Sequence, residues 1–216
     1  MPVITNIVQQ KKNKKFYSIY VDGEFKFSLP ENDLSFLGLR EDQVIPKEKL
    51  DFFVQKYALQ KARDYAYSLI SKKAYSENSL REKLQNKNYP NEIIEKIIDE
   101  LKEFNYINDK ELIYEYAKSK IQLKPMGKYR LKSELYNKKF DEILIKECIE
   151  KIYQKYDEKS LAERAVKEHF KNMPEKIDEN FLHKINNFLL SRGFSYETIQ
   201  DVILSVKKSN KNKPNE

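Results

Sequence analysis

Cysteine, histidine and glycine are scarce in this 216-residue chain, and each scarcity removes a class of function. The single cysteine, Cys148, allows no internal disulfide and no multi-cysteine metal site. It stands at an apolar helical position and is expected to be a buried core thiol. The two histidines, His169 and His183, fall on helical segments with no HExxH spacing and no cysteine partner, so no metal set is expected. The four glycines, Gly23, Gly38, Gly127 and Gly193, match neither GxGxxG nor the GxxxxGK loop of nucleotide-binding strands. Carboxylates are plentiful, but they alternate with lysine at helical spacing, as in Glu92 and Lys96, which is the pattern of a solvated helix face. No catalytic constellation emerges, and the expectation is a non-enzyme without a cofactor. No apolar run approaches the roughly 20 residues that cross a bilayer, and Met1-Pro2-Val3-Ile4-Thr5 lacks the regions of a signal peptide. A cytoplasmic, monomeric protein with no membrane partner is therefore expected.

Aromatics and charge are what the chain has in quantity. Fifteen Tyr, twelve Phe and a 40% hydrophobic content are too much apolar material for a disordered chain, although 35% of residues are charged. Much of the apolar material is ordered in a repeat. Leu80, Leu84, Tyr89, Ile94 and Ile98 recur in register as Leu131, Leu135, Phe140, Ile145 and Ile149, and again as Ile185, Leu189, Phe194, Ile199 and Ile203. The copies begin 51 and 54 residues apart with no gap inside the motif, which predicts one unit strung three times in tandem. These positions are read as core. Repeats of this kind more often build partner surfaces than a catalytic pocket.

Each copy reads as three helices. The first covers Ala58–Ser71, Ser76–Asn86 and Asn91–Phe104, its leading helix joined to a long amphipathic stretch after Pro46. The second covers Asp109–Gln122, Lys128–Asn137 and Glu142–Tyr156. The third covers Asp157–Phe170, then, after a break at Met173-Pro174, Asp178–Ser191 and Ser195–Lys207. Ser76, flanked by Tyr75 and Leu80, is a candidate N-cap with a hydrophobic staple; Asn108 with Glu111 resembles a capping box, and Asp141 and Ser195 start the third helices of copies two and three. Gly193 suits a left-handed helix end and Asn88 tolerates one, but Lys139 does so at a cost, so the second-copy turn is expected to differ.

The first fifty residues have a different period. Phe16, Ile19 and Val21 run into Asp22-Gly23 and out through Phe25, Phe27 and Leu29, a hairpin pattern. A further strand over Ile4–Val8 makes a sheet of about three strands, followed by a short helix near Glu31–Phe36, with the lysine-rich Lys11–Lys15 segment as an exposed turn. The expected organisation is a β module over 1–50, three-helix repeats over 51–107, 108–157 and 158–207, and a disordered basic tail over 208–216. The fold class is mainly α: an elongated, curved array of helix-turn-helix-like repeats behind a small N-terminal sheet.

The net charge of +7 is concentrated. Between Lys118 and Lys139 there are eight basic residues, Lys118, Lys120, Lys124, Lys128, Arg130, Lys132, Lys138 and Lys139, against the single acid Glu134. A localised basic face of this kind attracts phosphate or an acidic protein surface. The third helices expose chiefly Glu, Asp and Lys, as in Glu92, Glu95, Lys96 and Asp99, which disfavours sequence-specific duplex reading. Tyr114, Tyr116, Tyr129 and Tyr136 flank the window and could stack on unpaired bases. Tyr116 aligns with Tyr65 of the first copy, which favours packing, and Tyr129 and Tyr136 are read as at least partly core.

From Ala58 to Ile203 the chain resembles the RecX family of bacterial regulatory proteins. The resemblance rests on Tyr75-Ser76-Glu77 with Leu80-Arg81-Glu82-Lys83-Leu84, on the junction Phe104-Asn105-Tyr106-Ile107-Asn108-Asp109, and on Lys124-Pro125-Met126-Gly127-Lys128-Tyr129-Arg130-Leu131. The family's glycine before the aromatic is Asn88 in copy one and Lys139 in copy two. The resemblance implies a non-enzymatic regulator lodged in the groove of the RecA–single-stranded DNA filament. It would act on RecA ATP hydrolysis, filament growth and strand exchange in recombination and repair, in the direction of inhibition. The residues expected to face RecA or DNA, single-stranded or double-stranded, are Lys124, Lys128, Arg130, Lys132, Lys138 and Lys139, with Arg81 and Lys83 extending the stripe from copy one. The competing reading is a stand-alone, non-specific nucleic-acid-binding helical repeat protein.

Overall fold

Asp22 and Gly23, both at positive φ, turn the second strand back on itself and begin the fold with a tight hairpin. The computed structural model describes residues 1–172, 174 and 177–211. Strands β1 (Ile4–Gln9), β2 (Phe16–Val21) and β3 (Glu24–Pro30) form an antiparallel meander in the order β1-β2-β3. Ten α-helices follow among the described residues: α1 (Glu31–Leu37), α2 (Lys47–Ile70), α3 (Glu77–Gln85), α4 (Asn91–Glu103), α5 (Asp109–Leu123), α6 (Lys128–Asn137), α7 (Glu142–Lys155), α8 (Glu158–His169), α9 (Glu179–Ser191) and α10 (Tyr196–Lys211). The protein is thus mainly α, with three consecutive three-helix copies behind a small sheet. The chain divides into two units, one of residues 1–73 and 81–106, the other of residues 74–80 and 107–216.

In the first unit, alternation along the strands sends Ile19, Val21, Phe27 and Leu29 to one face, where they are buried with Ile4 against Leu50, Phe53 and Tyr57 of α2. Phe27 stacks on Tyr57 at 5.4 Å, and the Tyr57 hydroxyl donates to Asp33 at 2.7 Å. The outer edge of β1 is covered by the segment after α1, through Ile4 N–H to the Gln43 carbonyl and Ile45 N–H to the Pro2 carbonyl, both 2.9 Å. Further along, α2 packs on α4. That contact carries a bidentate pair: Arg63 Nε lies 2.9 and 3.0 Å from the two Glu100 oxygens, and Nη2 lies 2.7 Å from Oε2.

The second unit holds one continuous core, running from Ile113 and Ala117 of α5 through Leu131 and Leu135 of α6 to Ile185, Leu189 and Ile199. Most repeat positions are fully buried as expected, while Tyr89, Ile149 and Ile203 are partly buried. Cys148 is buried, and burial pushes its thiol up to about 11. Asn108 and Asp141 cap the helices that the sequence assigns to them, and Asp157 and Asp178, read from the sequence as first helical residues, cap two more. Asn108 accepts from Glu111 N–H, Asp141 from Ile143 and Leu144, Asp157 from Ser160, and Asp178 from Phe181.

Two expectations need correction. The turn of the second copy does not differ from the others: Asn88, Lys139 and Gly193 all take the left-handed conformation, with φ of 58°, 62° and 73°. In each, the following aromatic donates its N–H to a leucine carbonyl five residues back, Tyr89 to Leu84, Phe140 to Leu135 and Phe194 to Leu189. The buried leucine and aromatic hold the turn in place, so Lys139 bears the strain that glycine or asparagine would avoid. The second correction concerns the C-terminus, where α10 continues through Lys211, past Lys208 where a disordered tail was expected. Lysine sustains a helix well, and no glycine or proline intervenes before Pro214. Residues 212–216 of that expected tail, and Met173 of the expected break, lie outside the described residues.

Two stability predictions follow from these contacts. The Glu100 carboxyl is held below its ordinary range, first by the Arg63 hydrogen bonds. A depressed acid contributes stability that is complete above its unfolded value, about 4.3, and is lost as pH falls through the folded one. Glu100→Gln should therefore cost roughly 1–3 kcal/mol at neutral pH, and the gap to wild type should close below about pH 4 in urea titrations. Lys139→Gly should raise stability by about 1 kcal/mol by relieving the left-handed strain, as read from the denaturation midpoint.

Candidate functional site

The basic window folds onto α5, α6 and the connection between them. That connection is not a free loop: Pro125, Met126 and Gly127 are buried, and Tyr153 of α7 donates its hydroxyl to the Met126 carbonyl at 2.9 Å. Burial of the phenol holds the Tyr153 hydroxyl above the ordinary tyrosine range. Only Lys124 of the loop stands exposed.

Both ends of α6 are consumed internally. At its N-terminus, Gly127 N–H donates to the Arg192 carbonyl at 3.0 Å and Tyr129 N–H to the Gly193 carbonyl at 3.1 Å. Between them, Lys128 N–H donates to Glu158 Oε1 at 3.0 Å, and the other oxygen of Glu158 accepts from Ser195 and Thr198. At the C-terminus, the Ser76 and Ser79 hydroxyls both donate to the Lys138 carbonyl, at 2.6 and 3.0 Å. The start of α3 thus meets the end of α6, and the start of α6 meets the end of α9. Both junctions lie within the second unit and use equivalent repeat positions, Ser76 with Lys138 and Gly127 with Arg192.

The approach at the second junction is close enough to exclude a side chain. A Cβ on Gly127 would lie 2.2 Å from the Gly193 carbonyl oxygen, and one on Gly193 would lie 2.4 Å from Arg130 N. This also closes the α6 N-terminus to any outside anion, although helix N-termini are ordinarily good anion sites. Any anion recognition here must come from side chains.

Several of those side chains are engaged within the unit. Glu134, the only acid of the window, takes Lys120 at 3.3 Å and Arg130 at 3.6 Å and lies 3.5 Å from the Tyr116 hydroxyl. The Lys120 ammonium is held above the usual lysine range, first by Tyr116 and then by Glu134. Lys138 lies 5.4 Å over the Tyr116 ring, as Lys87 lies 5.6 Å over Tyr65 in the first unit, so Tyr116 packs as its alignment with Tyr65 predicted. Lys128 lies over Tyr129 and Lys132 over Tyr136, at 5.6 and 5.7 Å. Those two tyrosines are not core. Tyr129 is 61% exposed and Tyr136 39% exposed, because the core is filled from Leu131 and Leu135 on the opposite side of α6. Lys124, Arg130, Lys132, Lys138 and Lys139 are all exposed, so α6 and the segments at its two ends carry several cations beside the exposed rings of Tyr129 and Tyr136.

In the first unit, Arg81 forms an ion pair with Glu95 of α4, and Lys83 is exposed on α3. Sequence reasoning missed Arg164 and Arg192. Arg164 binds the Ile121 and Gln122 carbonyls at the end of α5, at 2.6 and 3.2 Å. Arg192 carried a readable signal, since the same repeat position is Lys87 in copy one and Lys138 in copy two. Among the described residues, no three His, Cys, Asp or Glu cluster to hold a metal ion, and no helix is long and apolar enough to cross a membrane.

Residues 2–46 match the family model of the regulatory protein RecX N-terminal domain, and residues 62–101 match that of the RecX first three-helix domain. The chain is 30% identical over 205 residues to the regulatory protein RecX of Clostridium botulinum strain Eklund 17B, covering 94% of this chain and 95% of that one. The chain belongs to the RecX family. The regulatory protein RecX of Clostridioides difficile strain 630 is likewise 30% identical over 203 residues. The fold is that of RecX crystal structures: one matches with a TM-score of 0.61 at 21% identity, covering 94% of this chain and 98% of the other. RecX from Lactobacillus salivarius matches with a TM-score of 0.63 at 20% identity, covering 70% and 97%. The match over residues 2–46 makes the N-terminal sheet part of the RecX architecture.

Glu158 is the anchor whose loss should show most clearly. Glu158→Ala leaves Lys128 N–H and two hydroxyls without their acceptor, and should cost about 2–3 kcal/mol in chemical denaturation, while Glu158→Gln retains part of the stability.

Proposed function

We propose that this RecX-family chain is a non-enzymatic, cytoplasmic and monomeric regulator of the RecA recombinase. It engages the groove of the RecA–single-stranded DNA filament and restrains ATP hydrolysis, filament growth and strand exchange. The observation that carries the reading is the outer face of α6. Its two ends are sealed by contacts within the unit, yet it presents Lys128, Arg130 and Lys132, joined by Lys124 before it and by Lys138 and Lys139 after it, with Tyr129 and Tyr136 among them. On the first unit, Lys83, and Arg81 beside its Glu95 partner, are proposed as further contacts in their own right. A cationic face with exposed rings suits a phosphate backbone whose bases are unpaired, because every base offers a surface on which to stack.

The exposure of Tyr129 and Tyr136 also favours a second reading, in which the protein binds bare single-stranded DNA without a recombinase. The two separate by concentration. Single-stranded-DNA-dependent ATP hydrolysis by the cognate RecA should fall at amounts of this protein too small to coat the DNA. Replacing Lys124, Lys128, Arg130 and Lys132 together with Gln should abolish that effect and reduce the salt dependence of filament binding by about 3 in slope, by counterion release. An unchanged hydrolysis rate with tight binding to bare DNA would instead select the second reading. Unchanged filament binding and salt slope in the quadruple variant would remove this face from consideration.

A further inference from the structure

Cations contributed by the third copy lie beside the basic window. Lys124, Pro125, Ala165, Glu168, His169 and Arg192 line a cleft of about 200 Å³, bringing together residues from the C-terminal ends of α5, α8 and α9. Basic residues at helix C-termini ordinarily answer the partial negative charge of the last carbonyls. Here other groups already do so. Arg164 binds the Ile121 and Gln122 carbonyls of α5, Arg130 binds the Ser191 carbonyl of α9 at 3.0 Å, and the backbone N–H groups of Gly127 and Tyr129 take the Arg192 and Gly193 carbonyls. Lys124 and Arg192 are left over. Among the described residues, no acid lies within ion-pair distance of either, and the carboxylate lining the cleft, Glu168, sits 3.5 Å from Arg164 Nε.

The cleft is also preorganised. The Arg192 guanidinium lies 5.0 Å over the Phe188 ring, and the His169 imidazole stacks on the same ring at 4.1 Å with 7° between planes. Burial, and then the like charge of Arg130, hold the Arg192 guanidinium below its ordinary value, with the Glu168 carboxylate opposing them in part.

We infer that this cleft seats one phosphodiester group of a nucleic-acid strand, held between the Arg192 guanidinium and the Lys124 ammonium with the His169 ring at its edge. The strand met by α6 then continues onto the third copy. This rests on the reading that the basic face binds nucleic acid, and it adds Arg192 and His169 to that face. A planar guanidinium beside a point-charge ammonium suits a phosphate, and Arg130, which donates to the α9 terminus, links the cleft to α6.

The test is binding of a fluorescein-labelled oligothymidylate across a salt series. Arg192→Gln should weaken binding about 3–10-fold and lower the salt slope by about 1, whereas Lys184→Gln, at an exposed position on α9, should change neither. Only two histidines are present, so the His169 ring resonances can be assigned with His183→Gln. They should move when oligothymidylate is added to wild type, and this readout stands even if Arg192→Gln fails to fold. Two outcomes would overturn the cleft: oligothymidylate binding unaltered in a folded Arg192→Gln, or His169 resonances that stay still while the oligonucleotide binds. A wild-type chain that binds no oligothymidylate at any salt would instead sink the reading of the basic face, and this cleft with it.

Discussion

Backbone meets backbone where α6 begins, and the rest of the second unit is arranged around that contact. Gly127 and Gly193 approach so closely that neither can carry a Cβ, and the N–H groups that α6 would otherwise leave open are spent on the carbonyls that α9 would otherwise leave open. Two unfavourable helix ends are thereby removed from solvent in one step, and the positive end of one helix dipole faces the negative end of the next. Glu158 completes the junction by accepting from Lys128 N–H, Ser195 and Thr198. The other end of α6 is closed by the Ser76 and Ser79 hydroxyls, so one joining rule serves twice with different atoms.

This joining rule decides what the basic window can offer a partner. A helix with an open N-terminus could bind an anion through its backbone; α6 cannot, and its recognition falls to side chains. Of those, Lys120 and Arg130 lean on Glu134, and Lys138 rests over Tyr116. What projects outward is a face of lysines interleaved with Tyr129 and Tyr136, rigid because Leu131 and Leu135 anchor the opposite side in the core. Charge brings a polyanion near, and the rings give it a reason to remain if its bases are unpaired.

Lys139 shows how far tertiary packing overrides local preference. An isolated segment would avoid a left-handed lysine, and the sequence argued for a different turn there. The turn is nevertheless that of the other two copies, because Leu135 and Phe140 can both be buried only if the chain reverses in the same way. A strain of about 1–2 kcal/mol is small beside the burial of two large side chains, each of which contributes about that much or more.

The sequence by itself determined the elements and their grouping. Apolar positions recurring at the same offsets, with Asn108, Asp141 and Ser195 marking helix starts, locate every helix to within a residue or two, apart from the end of α10. The cluster of cations between Lys118 and Lys139 was equally plain, since charge density needs no structure to be counted. Tertiary structure alone decided which of those charges face outward, that Tyr129 and Tyr136 are surface rings, and that Arg164 and Arg192 join the neighbourhood of Lys124 from forty or more residues away. Periodicity reports the side of a helix that is buried. It carries no record of which helix end will abut which, and that junction is what places one copy's cations beside another's.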